Sequence, residues 1–149
     1  MDVRILKIAE NQPEMVEIRC HGVSEQVPEI AAFVKSRQGH LTGVFENRQY
    51  EIPVTDIYYI ESVDNRVFLY SGRRVYETKQ RLYELEEMLR EKYFLRVSKS
   101  ILLNLLKVQA IRPAAGGRFT AILNNGEEVV ISRKYVPELK KALKGGVSL

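Results

Sequence analysis

Between Leu41 and Thr78 the chain is a series of short segments rich in β-branched and aromatic residues, separated by turn or loop residues. LTGVFE (41–46), QYEIP (49–53), IYYIES (57–62), VFLYS (67–71) and RVYET (74–78) are each five or six residues long. Asn47-Arg48 and Ser71-Gly72 supply turns, and SVDNR (62–66) supplies a loop. Runs this short, at this spacing, predict antiparallel strands rather than helices. Three further runs repeat the pattern: VQAIRP (108–113), RFTAIL (118–123) and EEVVIS (127–132). Ala114 to Gly117, with Gly116-Gly117 read as a turn, and Asn124-Asn125-Gly126 separate them as hairpin turns.

Helical spacing interrupts this pattern twice. From about Lys79 to Tyr93, Leu82, Leu85, Met88 and Leu89 form one apolar stripe flanked by Tyr83 and Tyr93. Thr78 is the expected cap, and Glu86 with Arg90 the expected i,i+4 pair, contributing about 0.3 kcal/mol. A second amphipathic helix is predicted over Val136 to Leu143. The class is mostly β, of the α+β type, with flanking helices.

The first 40 residues differ. VRILKIA (3–9) and MVEIRC (15–20) alternate well enough to be strands, with a turn at Asn11, Gln12 and Pro13. A helix is predicted over 25–37, where Val27, Ile30, Ala31, Phe33 and Val34 share a face; Pro28 suits its first turn and Gly39 its end. This strand–strand–helix unit is too small to be stable alone, so it must dock on the rest of the chain or on a second copy. The expected organisation is 1–40 for this unit, serving dimerisation or partner docking, and 41–149 for the β domain.

At 149 residues a core can be buried without disulfides, and the single Cys20 allows no intrachain bridge. No apolar run approaches the ~18 residues of a membrane-spanning helix, and no leader-like block opens the chain, so a cytoplasmic protein is expected. Charge is uneven. Residues 1–40 carry five basic and six acidic side chains, whereas Lys92 to Lys144 carries eleven basic and three acidic ones, Glu127, Glu128 and Glu138. Two basic clusters sit beside hydroxyls: Ser98, Lys99, Ser100 and Ser132, Arg133, Lys134, Tyr135. Such donors hold phosphate oxygens, and long basic side chains also read base edges. The pattern points to nucleic acid, with solvated surface charge as the plainer alternative.

In order and spacing, IYYIES, the helix QRLYELEEML, FLRVSKSILLN with Ser100 and Asn104, and LNNGEEVVISRKY resemble the LytTR DNA-binding domain of bacterial transcription regulators. The match runs from about Gly43 to Leu143. The resemblance implies an elongated antiparallel β-sandwich with a helix packed alongside. It also implies sequence-specific binding of double-stranded DNA by loops laid in successive major grooves, as a homodimer on repeated sites. The implied base-reading positions are Asn65, Lys99 and Lys134. Lys99 or Lys134 can donate to guanine O6 and N7, and Asn65 can pair with adenine. Arg66, Ser98, Ser100, Arg118, Arg133 and Tyr135 are the implied backbone contacts, Arg133 suiting either job. Receiver domains often precede this domain in the family. The ~40 residues here are too few for one, so control by phosphorylation is not expected. Analogy with stand-alone members points instead to a small membrane-protein regulator or to abundance.

Other residues take plainer readings. Asn104 is expected to satisfy backbone groups, and Ser100 is open between that and DNA. Tyr58, Tyr59, Tyr70 and Tyr76 read as packing, and Cys20 as a small buried hydrophobe. His21 and His40 lack a second ligand pair, so no metal is expected, and no cofactor. The chain lacks a nucleophile–base pair, paired carboxylates in an apolar setting and a phosphate-cradling glycine loop, so an enzyme is not expected. The alternative function is a protein-interaction module with weak DNA affinity that acts through residues 1–40.

Overall fold

The computed structural model describes residues 1–36 and 39–144, which fall into two units, Met1–Gln38 and Gly39–Leu149. In the first unit helix α1 (Gln26–Ser36) forms as expected, with Glu29 in its first turn. Residue 37 and the Phe33 side chain, both assigned to that helix by pattern, lie outside the described residues. The chain reverses where the Gln12 N–H donates to the Ala9 carbonyl at 3.0 Å. The strands expected at 3–9 and 15–20 are not formed. Two strands with no third neighbour bury too little apolar surface to hold together in water. Apart from the half-buried Ile18, their side chains are accordingly exposed, Val3 at 90% and Ile5 at 95%. Cys20, expected in the core, is exposed as well.

The second unit contains two antiparallel sheets. Tight two-residue turns join β1 (His40–Phe45) to β2 (Arg48–Pro53) and β3 (Ile57–Val63) to β4 (Arg66–Ser71). Glu46, Asn47, Asp64 and Asn65 all have positive φ, between 49° and 63°. Asn and Asp tolerate this left-handed conformation best, and paired left-handed residues match the twist of a hairpin. β5 (Val75–Thr78) lies between β4 and β1.

Two strands not anticipated from the pattern complete the large sheet: β6 (Phe94–Arg96) and β7 (Ile101–Asn104). They are only three and four residues long, too short to show a period of two. The strand order is β2-β1-β5-β4-β3-β7-β6. The small sheet has the order β10-β9-β8, from β8 (Val108–Pro113), β9 (Phe119–Leu123) and β10 (Glu128–Ile131).

Helix α2 (Leu82–Met88) is shorter than its apolar stripe suggests; the chain tightens into a 3-10 turn over Arg90–Lys92 and leaves it at Tyr93, φ 66°. Thr78 does not cap it. The Thr78 hydroxyl accepts from the Gln80 N–H at 3.4 Å, while the Glu84 carboxylate accepts from the Arg81 N–H at 3.1 Å. Glu86 pairs with Arg96 rather than Arg90, which pairs with Glu87. The closing helix, α3 (Val136–Lys144), forms as predicted.

Two cores result. Ile57, Ile60, Leu69 and Leu102 pack with Leu82 and Leu85 of α2 and with Leu89 just after it. Val97 and Leu103 pack with Ala121, Leu123 and Ile131 of the small sheet and Val136 and Leu139 of α3. Leu102 and Leu103 are neighbours in β7 and serve opposite cores, as the alternation of a strand requires. Asn104, 2% exposed, fastens this junction. Its amide donates to the Ile57 carbonyl at 2.8 Å, and its side-chain oxygen accepts from the Leu106 N–H at 3.0 Å. Tyr59 lies stacked on Tyr70, ring centroids 4.3 Å apart, and its hydroxyl donates to Glu127 at 2.8 Å. Burial, and then the Glu127 carboxylate, hold its phenol above the ordinary tyrosine pKa. Among the described residues no helix is long and apolar enough to cross a membrane.

Gly43 marks a close approach within the large sheet. A Cβ there would stand 2.7 Å from the Tyr76 Cβ and 2.9 Å from Ile52 Cδ1. Gly43→Ala is therefore expected to destabilise the fold by about 1–3 kcal/mol through overpacking. Urea denaturation checks this, and an unchanged midpoint would contradict it.

Candidate nucleic-acid interface

The loop between β6 and β7 is held from both sides by backbone hydrogen bonds. The Val97 N–H donates to the Ile101 carbonyl at 3.0 Å, closing the loop on itself. The Ser62 N–H, at the end of β3, donates to the Ser100 carbonyl at 2.8 Å. The Ser132 N–H, just after β10, donates to the Val97 carbonyl at 2.8 Å. These bonds gather the turn at Asp64–Asn65, the loop at Ser98–Ser100 and the 3-10 turn at Arg133–Tyr135 at one end of the β unit. The pairing of Phe119 with Ile131 brings the 114–118 turn to the same end. Gly117 lies so near Arg133 that a Cβ on it would stand 3.0 Å from Arg133 Cδ.

These loops carry Arg66, Lys99, Arg118, Arg133 and Lys134 against a single acid, Asp64. Lys99, Arg133 and Lys134 are exposed and form no ion pair among the described residues. The Lys134 ammonium stands 5.7 Å from the Tyr135 ring centroid, and Tyr135 packs against the second core. Arg66 is engaged within the molecule. It donates to Glu77 at 3.0 and 2.6 Å and stands over the Phe68 ring. Each partner of that pair favours the other's charged form, raising the Arg66 pKa and lowering that of Glu77. Arg118 turns back to donate to the Ala115 carbonyl at 2.9 Å.

Local geometry fixes where the loop residues point. The Ser98 hydroxyl accepts from the Ser100 N–H at 3.2 Å and lies 3.4 Å from the Ser100 hydroxyl. Arg96 is the residue that pattern reading missed. Its guanidinium donates to the Ser98 carbonyl at 2.9 Å, the Lys99 carbonyl at 2.7 Å and the Glu86 carboxylate at 2.7 Å. With its side chain only 22% exposed, it braces the loop from behind while Lys99 faces solvent. The available signal was an arginine two residues before a Ser-Lys-Ser turn. Of the sequence-predicted residues, the structure brings Asn65, Arg66, Ser98, Lys99, Ser100, Arg118, Arg133, Lys134 and Tyr135 to one end. Asn104 lies behind them in the scaffold. No group of three or more metal-ligating side chains occurs among the described residues.

Comparison with known proteins agrees with this arrangement. The profile of the LytTr DNA-binding domain matches residues 32–144. The sensory transduction protein LytT of Enterococcus faecalis is 28% identical over 130 residues, covering 87% of this chain and 54% of that protein. LytT of Bacillus anthracis is 33% identical over 93 residues, covering 62% of this chain and 38% of that protein. The chain thus spans about half or less of these relatives' lengths. An uncharacterized HTH-type transcriptional regulator of Staphylococcus aureus is 23% identical over 145 residues, covering 96% of this chain and 98% of that protein. A solved LytTr DNA-binding domain from Bacillus cereus superposes with a TM-score of 0.67 at 25% identity, covering 70% of this chain and 96% of that one. Its mostly antiparallel β architecture is the one described above. The chain belongs to the LytTr DNA-binding domain family.

Proposed function

We propose that this protein is a transcriptional regulator that reads double-stranded DNA through these loops, in successive major grooves, as a homodimer on repeated sites. The observation that carries this reading is the gathering of three loops by backbone hydrogen bonds, with Lys99, Arg133 and Lys134 left free of acidic partners among the described residues. Neighbouring strands are about 4.8 Å apart, which sets the β3–β4 turn and the β6–β7 loop about 10 Å apart across the sheet. At that spacing these two loops fit together within one major groove, ~12 Å wide. Asn65, Lys99 and Lys134 are assigned to bases. Ser98, Ser100, Arg133 and Tyr135 are assigned to the backbone, joined by Arg66 and Arg118 once they release their present partners.

A second reading, a protein-interaction module acting through residues 1–40, draws on the apolar side chains exposed in the first unit. Titration against random duplex separates the two. Binding that weakens steeply with salt supports the first, and no affinity at low salt supports the second.

Selection of bound sites from a random duplex pool tests the base assignments. Lys99→Ala and Lys134→Ala are each expected to relax preference at particular positions by ~1–3 kcal/mol. Full site preference in both variants would overturn the assignment. Arg96→Ala tests the brace. It is expected to lower affinity for the selected site about tenfold, equivalent to ~1.4 kcal/mol, with the fold retained by circular dichroism. Arg96→Lys should restore little, since an ammonium lacks the planar fork that spans two carbonyls and a carboxylate. Wild-type affinity in both Arg96 variants would show that the loop holds its shape without the brace.

A further inference from the structure

Among the described residues, eight of the sixteen exposed large apolar side chains lie in the first 23 positions. Within that stretch, residues 15–20 have a distinctive order. Val16, Ile18 and Cys20 alternate with Glu17 and Arg19. The Arg19 guanidinium donates to the Glu17 carboxylate at 3.0 Å, so the two charged side chains meet on one side of the chain. Val16 is 65% exposed, Cys20 is exposed, and only Ile18 is half-buried. The segment belongs to no sheet. It has the alternation of a strand with one apolar face, and among the described residues no strand pairs with it.

We propose that residues 15–20 pair antiparallel with the same residues of a second copy, centred on Ile18. The charge order selects this partner and this register. About Ile18, Glu17 of each copy faces Arg19 of the other, Ile18 faces Ile18, and Val16 faces Cys20. Opposite charges set across an antiparallel pair stabilise it, and like charges oppose it. The contact is its own complement under a two-fold axis, as a symmetric dimer requires. Segment 3–9 lacks this symmetry. Its central self-pairings set Arg4 against Lys7, or both basic residues against apolar ones. With the chain reversing at Ala9–Gln12, segment 3–9 can add an outer strand in each copy. Four strands then exceed the three that a stable sheet needs. The inference rests on the homodimer proposed above and supplies the surface that makes it.

The test uses the full chain without DNA. Sedimentation equilibrium is expected to show a dimer. Glu17→Arg should weaken it several-fold, and the exchange Glu17→Arg with Arg19→Glu should restore it. Facing Cα atoms in an antiparallel pair lie about 4.5–5.5 Å apart, within the ~4.4–6.8 Å that a disulfide spans. Ile18→Cys in a Cys20→Ser background should therefore cross-link on oxidation. The wild-type chain should not, because this register holds its two Cys20 residues about 14 Å apart. A dimer that fails to cross-link through position 18, or that cross-links readily through Cys20, overturns the surface and leaves the homodimer standing. A chain that stays monomeric throughout the concentration range overturns both.

Discussion

The candidate interface depends on the five residues from Val97 to Ile101. Their backbone accepts from Ser62 of the large sheet and from Ser132 beside the small one, and closes on itself between Val97 and Ile101. Val97 is fully buried in the second core. Backbone bonds of this kind are independent of the side chains that the loops display. Lys99 and Lys134 can therefore be exchanged without disturbing the clasp, whereas a change at Val97 would move loops on both sheets together. Arg96 adds a further constraint by occupying the Ser98 and Lys99 carbonyls, so the loop turns the Lys99 side chain outward.

The two cores explain why such short strands suffice. β3 and β7 are covered on both sides, by α2 on one and by the small sheet and α3 on the other. Apolar burial stabilises by roughly 25 cal/mol per Å², so residues that serve both faces concentrate that gain in a few positions. Asn104 sits where β7 leaves the large sheet. Its two hydrogen bonds satisfy the Ile57 carbonyl and the Leu106 N–H at the handover. An unpartnered polar group at that depth would cost about 1–3 kcal/mol.

Much of this fold is legible in the sequence because its strands lie between turn residues. The runs at 41–78 and 108–132 keep their alternation long enough to be read, and Asp64, Asn65 and Asn47 announce left-handed turns. β6 and β7 escape because three or four residues show no period, and the run around Asn104 looks apolar on every side. The extent of α2 escapes because an apolar stripe does not record where the chain tightens at Arg90. The loop residues were legible as basic and hydroxyl-bearing. What gathers them was not, because main-chain hydrogen bonds leave no mark on residue type. Arg96 was hidden for the opposite reason: its charge suggested DNA, while its fork is used within the molecule. Segments 3–9 and 15–20 have the composition of strands, yet one chain holds too few of them to close a sheet.

That last mismatch bears on how much sequence discrimination one chain can supply. The three base readers proposed, at ~1–3 kcal/mol each, would give roughly 3–9 kcal/mol. Specific DNA binding typically stands about 4–10 kcal/mol above non-specific binding. A single set of loops therefore reaches only the lower part of that range unless every contact is near its best. Joining two copies makes the second engagement intramolecular and adds a second set of readers without enlarging either domain. A first unit whose strands are completed by another copy would thus serve the same end as the loops. The stacking of Tyr59 on Tyr70 and its bond to Glu127 hold the two sheets of each copy together, and on the pairing proposed above the alternation at Val16, Ile18 and Cys20 would bring two such copies together.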